Sequence, residues 1–581
     1  MDGPFLEARA AFDRWRQRFP TNVFSSDAHL DLVLARHIDG DRLASLREEA
    51  GSFGAVVAGQ LEPLVETYRT HLPELVKYDG YGNRIEMIRF HDAYHTAGEL
   101  VWGSGLLAHS AAAGGSFEQA TLFYLASLEG EMGHMCAATC TTGAVRVLRR
   151  YADPDMCNRY LPGLTGNDYR AAIRASQFLT EVQGGSDVGA NASVARSSSE
   201  GYDITGEKWF CSVADADLFL LLARPEGGPG GTSGLGCFVV PRTIDGSPNG
   251  FSIRRLKDKL GTTAMASGEV DFDGARAYVV GEPDAGFKIM VTAMLNTSRW
   301  LNAVGDVGMM RRAYVEAANY AAERTAFGRR IGDFPLVRRQ LGEIKAEWLA
   351  ALHSTWELTG LDEAVDIEAM GGSPVSSLDE GFHRYLVNAN KLVCSLAATG
   401  VVRAAIEVLG GNGAIEEFSV LPRLLRDAVV YEQWEGTHNV LTAQVLRDLG
   451  RLGLAGTVVD RTATILKGIA DPDLGHVADR AQTELEELAG RVAECVHEPE
   501  YGALHFRGLL ERLVRAHQVA LLLQGAEAAA AAGDDRSGEL GVELSAAAEI
   551  ILGRYVERDY RSEEDPRFES LVARLLGSDL G

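Results

Sequence analysis

Apolar positions spaced three and four apart dominate the first 173 residues and predict a block of helices. Phe117 to Arg150 is apolar and alanine-rich, with few β-branched residues and no proline, and predicts a long buried helix pair. The pattern changes near Ile173. From there to about Val280, short apolar runs and alternating stretches lie between turn signals, and Tyr202–Gly206, Leu218–Ala223 and Cys237–Pro241 read as strands. Glu226 to Gly236 has the glycine density of a phosphate loop. It lacks the Gly-Lys-Ser/Thr ending and a following helix, so it reads as a hairpin loop. Helical periodicity returns from Gly286 to Gly450, broken at Gly371-Gly-Ser-Pro374, and a last helical segment runs from about Leu452 to the end. The predicted class is α+β, mostly α, with boundaries at 1–173, 174–285, 286–450 and 451–581.

The 581 residues leave room for three or four domains, and 46% hydrophobic with 24% charged residues is ordinary for a soluble enzyme. The net charge of −25 works against nonspecific DNA binding, because phosphates repel a surface of that sign. The last segment is itself acidic: residues 451–581 carry 14 Lys+Arg against 24 Asp+Glu. Seven scattered cysteines favour reduced thiols in a cytoplasmic protein over a disulfide framework. His134, Cys136 and Cys140 lie close in sequence, but no second ligand pair follows at a zinc-like spacing; a buried structural role is expected and no metal site. The first twenty residues have no apolar core, so no signal peptide is expected, and no run of about 18 apolar residues predicts a membrane span.

Five stretches bear on candidate chemistry. Gln177-Phe-Leu-Thr-Glu-Val-Gln-Gly-Gly-Ser-Asp187 opens the β block with two glycines and two hydroxyls, Thr180 and Ser186, a set that suits a planar polar ring edge or a plain polar turn. Trp209 and Ser212 follow in Gly206-Glu-Lys-Trp-Phe-Cys-Ser212, suited to packing on a flavin ring or to the core. Glu323-Arg-Thr-Ala-Phe-Gly-Arg-Arg330, read as helical, pairs a guanidinium with an aromatic, which suits pyrophosphate and adenine. Gly410-Gly-Asn-Gly413 looks like a nucleotide loop but follows a helix rather than a strand, so it is no Rossmann fingerprint. Val430-Tyr-Glu-Gln-Trp-Glu-Gly-Thr-His-Asn439 sets a carboxylate, Glu435, on a turn before a fresh helix whose N–H groups can hold phosphates or ring oxygens.

Together these segments resemble the acyl-CoA dehydrogenase superfamily over roughly residues 90–450, with the four motifs in order. Met135–Thr139, Leu179–Asp187, Leu256–Gly261 and Trp434–Asn439 look most like its alkylation-response (AidB-like) branch, which also carries an extra C-terminal helical domain. The resemblance implies N-terminal helices, a middle β-barrel or sandwich domain, a C-terminal four-helix bundle, and noncovalent FAD between the last two. Thr180, Ser186, Trp209, Ser212 and Asn439 match flavin-contacting positions, and Leu179, Gly185, Phe210, Gly411 and Thr437 complete the implied cofactor set. Arg324 and Phe327 match positions that reach the FAD of a neighbouring subunit, which implies a homo-oligomer, a tetramer built as a dimer of dimers. Glu435 matches the catalytic base. Arg299 and Trp434 match substrate-side positions. The departures are Glu407, where many dehydrogenases have glutamine, and Trp434, where many have tyrosine; a tryptophan there narrows the acyl cavity.

The resemblance implies an FAD-dependent acyl-thioester dehydrogenase for a short, branched or aromatic acyl group on CoA or a carrier protein. Electrons would pass to an electron-transfer flavoprotein or to O2. A flavin oxidase or monooxygenase on the same fold, and a flavin-bearing nucleic-acid-associated protein, stay open as alternatives. Glu435 favours an enzyme and the acidic tail disfavours DNA. In the turn's surroundings, Glu432 is expected to face away on the preceding helix, and Asp427 to pair with Arg423 or Arg426.

Overall fold

The computed structural model describes residues 4–130, 132–557, 567–577 and 579; part of the expected last helical segment, 558–566, lies outside them, and the helix Phe568–Leu576 follows it. The first part is helical, with helices at Pro4–Gln17, Ala28–His37, Gly40–Val56, Glu62–Tyr68 and Asp92–Gly103, and the buried pair Ser116–Ser127 and Met132–Tyr151. Their starts carry the expected caps: Asp27 accepts from Leu30 N at 3.1 Å, and Asp153, before a proline, accepts from Met156 N at 2.8 Å. One element breaks the helical expectation. Glu74–Tyr78 and Arg84–Arg89 form an antiparallel β-hairpin. Asp79 makes the turn, its Oδ1 accepting from Tyr81 N and Asn83 N, both at 2.8 Å.

The middle domain is a seven-stranded sheet that closes on itself. Gly201–Ser212 pairs with Val194–Ser198 and with Ser267–Val280, and the end of Ser267–Val280 pairs with Gly236–Pro241. Leu218–Pro225 completes the ring between Gly236–Pro241 and Val194–Ser198. Ala175–Phe178 and Phe251–Leu256 flank it. The glycine-rich stretch Glu226–Gly236 is the hairpin connection of two of these strands. The three expected strands lie inside this sheet.

Long helices Asn296–Glu323, Pro335–Ala369 and Ser377–Leu409 then build a bundle around Trp300, Trp348 and Trp356, all fully buried. The break at Gly371–Pro374 separates the second from the third. The third is long and apolar enough to cross a membrane by composition, but here it runs through the bundle and is mostly buried. Arg146 anchors the N-terminal part to this bundle through a buried pair with Asp362 at 2.6 Å. Glu323–Arg330 is not helical throughout. The helix ends at Glu323, and Thr325–Ala326 pairs with Arg329–Arg330 around Phe327 and Gly328, both at positive φ (51° and 82°). That two-residue reversal fits the twist of a hairpin and ends the helix. The final helices Leu454–Lys467, Pro472–His497, Pro499–Ala532 and Asp535–Ile551 pack on the bundle. Two buried contacts link the two: the ion pair of Arg515 with Glu347 at 2.7 Å and a hydrogen bond between His517 Nε2 and Glu357 Oε2 at 2.5 Å.

Candidate active site

Glu435 sits between helices Leu421–Gln433 and His438–Leu452. Trp434 is extended, Glu435 has φ 57° and Gly436 φ 106°, so the chain reverses over three residues. A left-handed glutamate costs about 1 kcal/mol, which the surroundings must offset. They do so with buried side chains. Arg299 Nε donates to the Glu435 carbonyl at 2.9 Å, and its Nη1 donates to Asn388 at 2.6 Å and Gln444 at 3.3 Å. Gln177 Nε2, from the strand Ala175–Phe178, donates to Glu435 Oε1 at 2.7 Å. The β domain and the bundle therefore meet at this carboxylate.

Burial pushes the Glu435 carboxyl above the usual carboxylate range, while Arg299, Lys391 and the Gln177 bond oppose the shift. Burial also lowers the Arg299 guanidinium to about 10. A half-buried carboxyl held above its usual range and facing a cavity suits proton abstraction.

That cavity, about 900 Å³, lies between the barrel and the bundle. Leu179, Thr180, Gly185, Ser186, Phe210 and Ser212 line its barrel side. Arg299, Trp434, Glu435 and Thr437 line the other. Thr180 is held by its carbonyl, which accepts from Trp209 N at 2.9 Å. A Cβ on Gly185 would meet Thr180 Oγ1 at 2.5 Å, so this close approach requires glycine. The wall thus offers the hydroxyls of Thr180, Ser186 and Ser212, and Gln177 Oε1, which is buried without a partner. These donors and acceptors fit the edge of a flavin ring, and the apolar walls fit its face.

Five of the expected site residues, Trp209, Asn439, Gly411, Arg324 and Phe327, stand outside this cavity. Trp209 packs behind it, with Lys257 Nζ 3.6 Å from its ring centroid. Asn439 is exposed at the helix start and accepts from Arg507 at 3.2 Å, a contact to the last domain. Gly411 is exposed in the 3-10 turn Gly410–Ala414, away from the cavity within this subunit. Arg324 and Phe327 lie at the hairpin, Phe327 being 97% exposed. Glu407 accepts from Gln340 at 3.1 Å. Asp427 does not pair with its arginines as expected. It accepts from Thr262 N at 2.6 Å, while Arg423 bonds Glu66 and the Glu129 carbonyl and Arg426 bonds Glu416. Glu432 does face away, bonding Thr399 and His438.

Sequence reasoning missed the role of Gln177, although its polar side chain within an otherwise buried strand was a signal. It also missed that Cys136 and Cys140 reach the cavity wall. Both are buried free thiols, and among the described residues no cluster of three or more His, Cys, Asp or Glu could hold a metal.

Three family profiles match in order: the AidB N-terminal domain over residues 16–171, and the acyl-CoA dehydrogenase middle and C-terminal domains over 176–275 and 284–450. The Escherichia coli protein named putative acyl-CoA dehydrogenase AidB is 31% identical, covering 82% of this chain and 85% of that one. The chain belongs to the acyl-CoA dehydrogenase family. It is an FAD-dependent oxidoreductase. Acyl-CoA dehydrogenase family member 11 of Caenorhabditis elegans is 30% identical over 73% of this chain and 70% of its own length. The nematode ACDH-11 structure in complex with C11-CoA superposes with TM-score 0.84 at 26% identity, covering 93% of this chain and 92% of that one. A Bacillus anthracis acyl-CoA dehydrogenase complexed with FAD shares the fold, with TM-score 0.72 at 18% identity over 92% of this chain and 95% of that one.

Proposed function

We propose that this enzyme desaturates an acyl-CoA or acyl-carrier thioester, with Glu435 as the base that takes the α-proton. FAD, when bound in the cavity, supplies the acceptor for the β-hydrogen. Thr180, Ser186 and Ser212 would hold the ring edge, and Gln177 holds one oxygen of the Glu435 carboxylate at the cavity wall. Arg299 holds the Glu435 backbone carbonyl and keeps the turn closed. The observation that carries this reading is a half-buried, raised carboxyl on the wall of the cavity whose opposite side carries the flavin-type hydroxyls.

Trp434 lies against Tyr431, with centroids 4.9 Å apart, and lines the cavity. It supports a short, branched or aromatic acyl group. The exposed Phe327 hairpin supports a homo-oligomer in which Arg324 and Phe327 approach a neighbour's FAD. Free cysteines support a cytoplasmic setting, and the acidic surface supports a protein without DNA as partner.

The test is anaerobic mixing with a panel of acyl-CoAs, C11-CoA included, followed by flavin bleaching near ~450 nm. Glu435→Gln should keep FAD and lose the reduction by about 10²–10⁴-fold. A Glu435→Gln protein reduced at the wild-type rate would place the base elsewhere. Adding O2 or an electron-transfer flavoprotein to the reduced enzyme then separates oxidase from dehydrogenase.

A further inference from the structure

A second buried cation reaches the same turn. Lys391, on the central bundle helix Ser377–Leu409, is fully buried. Its Nζ donates to the Glu432 carbonyl at 3.0 Å and to the Gly436 carbonyl at 3.3 Å. The first carbonyl belongs to the last turn of helix Leu421–Gln433, where the helix itself leaves acceptors open and a positive charge is favoured. The second follows Glu435 directly. Lys391 therefore bridges the chain on both sides of the base, while Arg299 holds the carbonyl between them.

We propose that Lys391 is a positioning residue for the base: its two bonds fix the left-handed turn that aims Glu435, and its charge keeps Glu435 ionised inside the cavity. The proposal rests on the reading of Glu435 as the base. The groups facing Glu435 are Arg299, Lys391, Gln177 and, from helix Met132–Tyr151, the Cys140 thiol. Those facing Lys391 are Asp306, Glu435, Arg299 and Glu432. Burial lowers the Lys391 ammonium to about 8, so it stays mostly charged at neutral pH. Asp306 is the nearest compensating acid. It is fully buried, its oxygens make no well-formed hydrogen bond, and burial pushes its carboxyl well above the usual range. Glu432 is already engaged by Thr399 and His438. The Lys391 charge is shared among Asp306, Glu435 and Glu432, and in turn it opposes the effect of burial on Glu435.

The sign follows from that arrangement. A neighbouring cation lowers the carboxyl pKa; removing it lets burial push Glu435 higher, so the base becomes active only at higher pH. Reduction of the FAD-loaded enzyme by one CoA thioester that bleaches the wild type is followed from about pH 5 to 9. In Lys391→Met and Lys391→Gln the acid limb should move up by about one pH unit, with reduction about tenfold slower below the limb. Lys391→Arg keeps the charge and should keep the wild-type limb. The glutamine variant retains a donor for the carbonyls, so its FAD content should match wild type. An unmoved limb in the glutamine variant, or loss of FAD from both neutral variants, would reduce Lys391 to a fold-holding residue and overturn the proposal. If instead no thioester bleaches wild type, or Glu435→Gln reduces normally, the reading of the base has failed rather than the role of Lys391.

Discussion

The loop that carries Thr180 and Ser186 hangs on one buried ion pair, and breaking that pair should release the cofactor. Lys208 Nζ, fully buried, donates to Glu181 Oε1 at 2.7 Å and to the Leu222 carbonyl at 2.8 Å. Glu181 is 2% exposed and also accepts from Ala192 N at 2.6 Å, Ser193 N at 3.2 Å and Gln183 at 2.7 Å. Glu181→Gln removes one charge and leaves Lys208 buried without its partner. Loss of one member of a buried pair destabilises by about 3–5 kcal/mol, because an uncompensated charge stays in the interior. Each ~1.4 kcal/mol is tenfold, so the docked loop should become less populated by about 10²–10³-fold or more. Release of FAD on heating, read by the rise in flavin fluorescence, should therefore occur at a clearly lower temperature in Glu181→Gln. The double variant Glu181→Gln/Lys208→Met removes both charges and should recover much of the difference. Glu181 is held below its ordinary pKa, so its contribution is present at neutral pH and is lost as pH falls below about 4. The gap between wild type and variant should narrow there. If Glu181→Gln released FAD at the wild-type temperature, or the double variant were worse than both singles, the loop would be held by something other than this pair.

If the proposed homo-oligomer forms through the hairpin, Phe327→Asp should dissociate it, since a charge replaces a 97% exposed aromatic at the hairpin tip; light scattering that shows the same size for variant and wild type would count against that interface. A DNA duplex should not bind with submicromolar affinity at about 150 mM salt, as the −25 charge requires; filter binding or anisotropy reads this directly. Burial raises Asp427 to about 6, so its protonated form favours the fold, and that contribution is lost as pH rises through about 6. Asp427→Asn should accordingly stabilise at pH 8 by about 2–3 kcal/mol or less and bring no gain at pH 4, as denaturant midpoints would show.

The Glu435 turn was legible because its signals are local: a carboxylate, a glycine and a helix start within a few residues. Its partners were not. Gln177 lies 258 positions away, and nothing in the strand Ala175–Phe178 says which face meets the bundle. Asp427 shows the same difficulty in reverse. Two arginines stood nearby in sequence, yet the tertiary fold gave it a backbone N–H and sent both arginines elsewhere. The Glu74–Arg89 hairpin escaped notice because its strands are short and helices surround it, although Asp79-Gly-Tyr-Gly-Asn83 is a turn sequence. At Glu323–Arg330 helical composition outweighed the Phe327-Gly328 reversal. The β block, the helical blocks on either side and the buried helix pair were legible from long, consistent periodicity, where many positions agree, whereas the barrel and the bundle came from the family resemblance.

The support of Glu435 from both sides bears on modularity. A half-protein covering 284–450 would carry the glutamate together with Arg299 and Lys391, yet would leave behind Gln177 and the hydroxyl wall. The chemistry thus belongs to the seam between two inherited units rather than to either. Swapping one domain between relatives would then recombine two halves of a single acid–base device, and each transplanted bundle would inherit its reactivity from the barrel it meets.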